Sequence, residues 1–318
     1  MQGTQAITLS RLLELHTEAH PELEESTQYM RRLGFDYLIE IVGDKAIQDF
    51  VLEDAEAFRA ALLRRWKPVT AASYLKMVRP PFRWWQYRQK SFCDFWADLS
   101  RIRIPKTKPK MYADEEVKAI LAGADDDELM QARVLLMVAT GMRRSEVLNL
   151  RDSDIDWENG TITVQVKNDA PDGWPWTPKD KDCRVLPLPD PVRDGLLRRR
   201  LGLPRSQPYL LLTEDRYAYL MWLKSRGKMT KRMCKCPDEN WRPFRKLKRR
   251  VGITDKSQKH FRNTCLTNWL RDGLSLPDVR DLAGHSSIET TEVYLASDSG
   301  AVKKARDLSG QRLARWQT

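Results

Sequence analysis

Eight residues, Arg103-Ile104-Pro105-Lys106-Thr107-Lys108-Pro109-Lys110, divide this chain before the rest of it can be read. Two prolines and four basic side chains with no apolar period suit neither a buried helix nor a core strand. The stretch reads as an extended linker whose charge would let it lie along a polyanion. A length of 318 residues is too great for one small domain and suits two. The expected organisation is a domain over 1–102, a basic linker over 103–112 and a second domain over 113–318.

Ahead of the linker the periodicity is helical. Leu9, Leu12, Leu13 and Leu15 begin it, and Met30, Leu33, Tyr37, Leu38 and Ile41 continue it. Phe58, Leu62 and Leu63 mark a third helix that Pro68 breaks, with Thr70 placed to cap the next. That helix runs through Tyr74–Arg79 until Pro80-Pro81, which should kink or end it before Phe82–Arg88 resumes. Trp84, Trp85 and Tyr87 leave two readings open, core packing or aromatics resting on a sugar or base. Beyond the linker, Asp114-Glu115-Glu116 open a helix with acids in its first turn. Thr161–Val166 alternates with period two, placing Ile162, Val164 and Val166 on one face, and Cys183–Leu188 is its return strand. Pro171–Trp176 between them reads as a long loop or a short extra strand. From Pro191 the chain turns helical again, through Tyr209–Leu212 and Tyr217–Leu223. The predicted fold is mainly α, with a small antiparallel β-sheet in the second domain.

Charge narrows the partner. Lys and Arg number 55 against 44 Asp and Glu, a net +11. The first 60 residues carry −7, residues 61–110 carry +11 and residues 191–260 carry +14. Basic blocks interleaved with Trp, Phe and Tyr, richest at Arg242–Arg250, form the footprint expected for DNA. Candidate contacts are Arg79, Arg83 and Arg88 in the first domain, Lys106, Lys108 and Lys110 in the linker, and Arg144, Arg242, Arg245 and Lys248 beyond it. No apolar run approaches the roughly 20 residues of a membrane span. The start of the chain lacks the layout of a signal peptide, and five scattered cysteines suit a reduced cytoplasmic interior, nucleoid-associated for a DNA-binding chain. Cys234-Lys235-Cys236, without a second pair or a nearby histidine, makes a poor metal site.

Three motifs follow one another at long intervals: Thr140-Gly141-Met142-Arg143-Arg144-Ser145-Glu146, Lys259-His260-Phe261-Arg262, and Gly284-His285 with Tyr294 nine residues further on. Planar guanidinium forks match the nonbridging oxygens of a phosphodiester, and a tyrosine hydroxyl can attack its phosphorus.

In this order the motifs resemble the tyrosine recombinases of the phage integrase type, over nearly the whole chain. The resemblance implies a two-domain DNA clamp, in which a helical, SAM-like core-binding domain precedes the catalytic one. It also implies site roles. Arg143 and Arg262 would clamp the phosphate, His285 would add a hydrogen bond, and Tyr294 would be the nucleophile. Lys179, in the hairpin ahead of the return strand, would protonate the departing 5′-oxygen. Its spacing to Arg184 favours it over Lys181. Glu146 would orient Arg143. The second motif departs from the usual His-x-x-Arg, because Lys259 stands where the histidine would. Lys259 would accept or relay the tyrosine proton, and His260, about 100° away on a helix, is the other candidate.

The implied activity is site-specific strand exchange through a 3′-phosphotyrosyl intermediate and a four-way junction, with no cofactor, metal or ATP. The implied partner is double-stranded DNA bearing recombination sites, held by a tetramer on paired sites. Val302, Leu308, Leu313 and Trp316 of the tail offer anchors for a neighbouring subunit, or for the tail's own domain. A type IB topoisomerase-like enzyme that relaxes DNA alone, or a DNA-binding regulator that keeps the fold without cutting, are the alternatives.

Overall fold

The computed structural model describes residues 6–89, 95–105, 108–179, 183–238 and 241–295, and the side chains of Phe95, Trp241 and Arg242 lie outside that description. The tail segment 296–318 with its apolar anchors, Lys106 and Lys181 also lie outside the described residues. The chain divides into two compact units, 1–106 and 107–318.

The elements described in the first unit are mainly helices: α1 (Leu9–Ala19), α2 (Glu25–Val42), α3 (Leu52–Arg65), α4 (Pro68–Gln89) and the short α5 (Phe95–Asp98). Thr8 caps α1, its side chain accepting from the Arg11 N–H. Leu9, Leu12, Phe35, Leu38, Phe58, Leu62, Leu75 and Val78 meet in the core. An aromatic nest of Phe50, Phe82 and Trp96 closes it, with ring centroids 5.0–5.6 Å apart.

Helix α4 departs from the sequence expectation at its start. It begins at Pro68, a residue pre-set for a first helical turn, so Thr70 lies inside the helix and caps nothing. It also runs through Pro80-Pro81 without ending there. Each interior proline costs about 3 kcal/mol. Burial of Val78 and Phe82 returns roughly 1.5–3 kcal/mol apiece, which offsets most of that. Trp84 and Trp85 pack against this core, whereas Tyr87 is 89% exposed, so the two open readings divide among the three aromatics.

The second unit holds α6 (Asp114–Gly123), α7 (Glu128–Thr140), α8 (Arg144–Leu148), β1 (Ile155–Asp156), β2 (Thr161–Val164), β3 (Arg184–Pro187), α9 (Asp190–Leu201), α10 (Glu214–Ser225), α11 (Lys231–Lys235), α12 (Trp241–Arg250), α13 (Lys259–Arg271), α14 (Leu276–Ala283) and α15 (Glu289–Leu295). Helices α7 and α13 pack together at its centre through Val134, Leu136, Met137 and Phe261. The sheet is antiparallel in the order β1-β2-β3, with Ile162 opposite Leu186 and Val164 opposite Arg184. Ile162 and Val164 face the core as expected, but β2 stops at Val164 and leaves Val166 51% exposed.

One further expectation is corrected here. Tyr209–Leu212 is buried but not helical, and Tyr209 forms an isolated bridge with Arg151. Side chains replace the missing helical donors: Arg199 reaches the carbonyls of Leu210 and Leu212, Arg133 that of Leu211, and Gln207 those of Tyr209 and Leu212. One residue of the stretch expected as linker, Tyr112, belongs to the core of the second unit. Tyr112 is fully buried and stacks on Phe261 at 4.3 Å, and its N–H donates to Thr264 Oγ1 at 2.7 Å.

Candidate active site

Helix α7 ends at Gly141, whose φ of +64° lets the chain reverse toward Arg143 at the start of α8. A side chain there would be strained. Glu146 pulls the turn together, accepting from the Arg143 N–H at 2.8 Å and from Arg143 Nη1 at 3.1 Å. Its other anchor is Arg184 on β3, whose Nη2 donates to Glu146 Oε2 at 2.6 Å. Burial alone would raise the Glu146 carboxyl. Arg184 and then Arg143 outweigh it and hold the group below its ordinary range.

From the opposite side come α13, α14 and α15. Gly284 ends α14 with φ +62° and sits so close that a Cβ would lie 3.1–3.3 Å from Arg184. Arg143 Nη2 donates to the Gly284 carbonyl at 3.0 Å, and Arg184 Nε to that of Leu282 at 2.9 Å. Arg262 is only 8% exposed, and it donates to the carbonyls of Gly141 and Ala283, both at 2.6 Å, and to His285 Nε2 at 3.0 Å. Burial, then the neighbouring Arg143, lowers its guanidinium to about 10, so it stays charged at neutral pH. His285 Nδ1 lies 2.8 Å from Thr291 Oγ1, and the His285 and Tyr294 rings lie nearly parallel with centroids 6.3 Å apart. The Tyr294 hydroxyl donates to Asn263 Oδ1 at 3.3 Å. Burial raises the phenol's pKa, and Arg262 and Arg143 pull it down without prevailing.

Thus Arg143, Arg262, His285 and Tyr294, 151 positions apart at the extremes, converge on one place. The two lysines do not join them. Lys179 is exposed in the loop before β3, and Lys259 is exposed at the first position of α13, one turn from Arg262. His260 is turned inward, its Nδ1 accepting from the Ser257 N–H at 2.7 Å. Three residues of the cluster went unnoticed in the sequence: Arg184, Asn263 and Thr291. A polar residue at an inward position of a strand was a signal for Arg184, and Thr291 is one turn ahead of Tyr294; Asn263 had none.

The candidate DNA contacts divide. Arg83, Lys108 and Arg245 are exposed. Arg88 is exposed and lies 4.5 Å over the Trp84 ring, and Lys110 pairs with Asp255 at 2.7 Å. Arg79 is half-buried. Arg144 turns toward the 236–238 segment, donating to Cys236 Sγ and the Asp238 carbonyl. Lys248 is buried and donates to the Lys256 carbonyl, so its ammonium is held by the protein's own backbone. Among the described residues no three His, Cys, Asp or Glu gather as a metal site would need, and no helix is long and apolar enough to cross a membrane.

The sequence profile of the phage integrase family matches residues 110–300. The chain belongs to the phage integrase family. Among curated members, tyrosine recombinase XerA of Pyrococcus furiosus is 30% identical over 212 residues, covering 65% of this chain and 64% of the relative. The match thus spans just under two thirds of that relative's length. Tyrosine recombinase XerC of Bacillus pumilus is 26% identical over 91% of this chain and 87% of its own. Among solved structures, the Tn1549 transposon integrase in complex with a circular intermediate DNA has a TM-score of 0.73 at 17% identity, covering 97% of this chain and all of that one. A lambda integrase tetramer bound to a Holliday junction gives 0.67 at 13% identity, covering 92% and 78%. These likenesses show the integrase fold, mainly helical with a small antiparallel sheet.

Proposed function

We propose that this family member is a site-specific DNA recombinase that cuts and rejoins strands through Tyr294. One observation carries the reading: two guanidiniums, an imidazole and a phenol from four separate segments face one another in a single cluster. Tyr294 attacks a backbone phosphorus, the phosphotyrosyl bond forms, the bond to the 5′-oxygen breaks, and that oxygen leaves as a hydroxyl. Arg143 and Arg262 neutralise the charge that develops on the nonbridging oxygens, and His285 adds a hydrogen bond. Lys259 takes the phenolic proton and Lys179 protonates the leaving oxygen, both swinging in from exposed positions when DNA is bound. The first unit grips DNA beside the site, and exchange proceeds on a tetramer through a four-way junction, in the cytoplasm at the nucleoid. The positive charge is the protein's own, so the step calls for no metal ion.

The test uses duplexes selected from a randomised pool by the protein itself, then nicked near the cut so that religation fails. Wild type should become covalently joined to the DNA in the presence of EDTA. Tyr294→Phe should bind equally and form no adduct; an adduct from that variant would assign the nucleophile elsewhere. Relaxation of supercoiled DNA without paired sites would favour a type IB topoisomerase-like enzyme. No adduct from wild type on any selected duplex would leave a DNA-binding regulator.

A further inference from the structure

The hydrogen-bond polarity around His285 is fixed by chemistry, and in this arrangement it is the wrong one for a phosphate. A guanidinium only donates, so the 3.0 Å contact from Arg262 Nη2 makes His285 Nε2 an acceptor. The proton of the neutral ring must then sit on Nδ1, which donates to Thr291 Oγ1 at 2.8 Å. An Nε2 lone pair repels a phosphate oxygen. To help hold a phosphodiester, Nε2 must carry the hydrogen. A second ring proton would set a third positive charge beside the guanidiniums of Arg262 and Arg143.

Thr291 offers the other route. It is fully buried, so its hydroxyl has no bulk water to turn to, and a hydroxyl accepts and donates equally well. Resting on the recombinase reading above, we infer that Thr291 is a positioning residue that switches the His285 tautomer. In the free protein its oxygen accepts from Nδ1. When a phosphate displaces the Arg262 contact, Nδ1 gives its proton to solvent, Nε2 takes one, and the ring's charge does not change. The Thr291 hydroxyl rotates to donate to the bared Nδ1, and Nε2–H points at the phosphate. Valine has the same shape but supports neither tautomer, leaving a buried ring nitrogen unpaired.

The full chain labelled with ¹⁵N-histidine tests this directly, since only four histidines need assigning. The free protein should show the Nδ1–H pattern for His285. Inorganic vanadate, a mimic of the five-coordinate phosphorus, or a selected duplex bound to Tyr294→Phe, should reverse it to Nε2–H. Thr291→Val should fail to reverse and should slow adduct formation roughly ten- to a hundredfold, the cost of one unsatisfied buried group, at unchanged DNA affinity. Thr291→Ser, which keeps the hydroxyl, should restore both. An Nε2–H pattern in the free protein, no reversal in wild type, or a wild-type rate in Thr291→Val would overturn the assignment. The spectra need no cleavage, so failure of wild type to form an adduct would sink the recombinase reading and leave the tautomer result standing.

Discussion

Glu146 is 2% exposed and still ionised, a costly arrangement that persists only because two arginines share it. Removing one partner of a buried ion pair leaves the other uncompensated, at about 3–5 kcal/mol. Glu146→Gln should lose that much at neutral pH in a denaturant titration. Its folded pKa lies below the ordinary 4.5, so its contribution is present above that value and fades as pH falls through the folded one. The gap between wild type and variant should therefore close in acid, and a gap that persists there would mean the loss is steric. Lys259 carries a different expectation. Lys259→Ala should slow adduct formation by about 10²–10⁴, the usual range for a proton-transfer group, and Lys259→His should keep much of the rate. A wild-type rate in Lys259→Ala would shift the role to His260, whose Nδ1 accepts from the Ser257 N–H. The four clustered side chains were legible in the sequence because each sits in a short motif. Arg184, Asn263 and Thr291 were not, because what marks them is contact across 38, 31 and 6 residues of chain, respectively.

Element boundaries failed where burial overruled local propensity. Periodicity took Tyr209–Leu212 for helix because four apolar residues in a row suit either state. The deciding donors, Arg133 and Arg199, belong to other elements. Arg133→Met should cost about 1–3 kcal/mol by orphaning the Leu211 carbonyl and the Asp238 carboxylate, with thermal melting as the check. A melt unchanged by the substitution would mean those groups find water instead. In the first unit α1, α2 and α4 meet at His16, which contacts Arg31 at 3.3 Å and the Trp84 ring at 5.6 Å. Burial, then Arg31, lowers its pKa from 6.5 to about 4. The unfolded ring binds a proton that the folded one refuses, so stability is full above 6.5 and declines as pH falls toward 4. The opening free energy of α1 and α4, taken from amide exchange corrected for the intrinsic rate at each pH, should fall across that window by on the order of 1–3 kcal/mol. His16→Gln should remove the dependence, and identical profiles for the two proteins would exclude this histidine as its source.

Two basic regions flank the linker, and the whole chain should respond to salt as their sum. Each phosphate contact adds about 0.9 to the slope of log affinity against log salt. The full chain should show a clearly steeper slope than the second unit alone, and equal slopes would mean the first unit touches no DNA. Where to cut that second unit is itself a structural matter. Composition placed the linker's end at 112, since prolines and lysines look alike whether they hang free or lie pinned. Lys110 is pinned: its ammonium pairs with Asp255, and its carbonyl accepts from Asn263 Nδ2 at 2.9 Å, the same amide whose oxygen receives the Tyr294 hydroxyl. A graft that exchanges the first unit for a foreign DNA-reading module therefore has a natural seam ahead of Lys108. A chimera joined at 112 would import a stranger's backbone next to the amide that holds the Tyr294 hydroxyl, and would shift that phenol while every motif stayed intact.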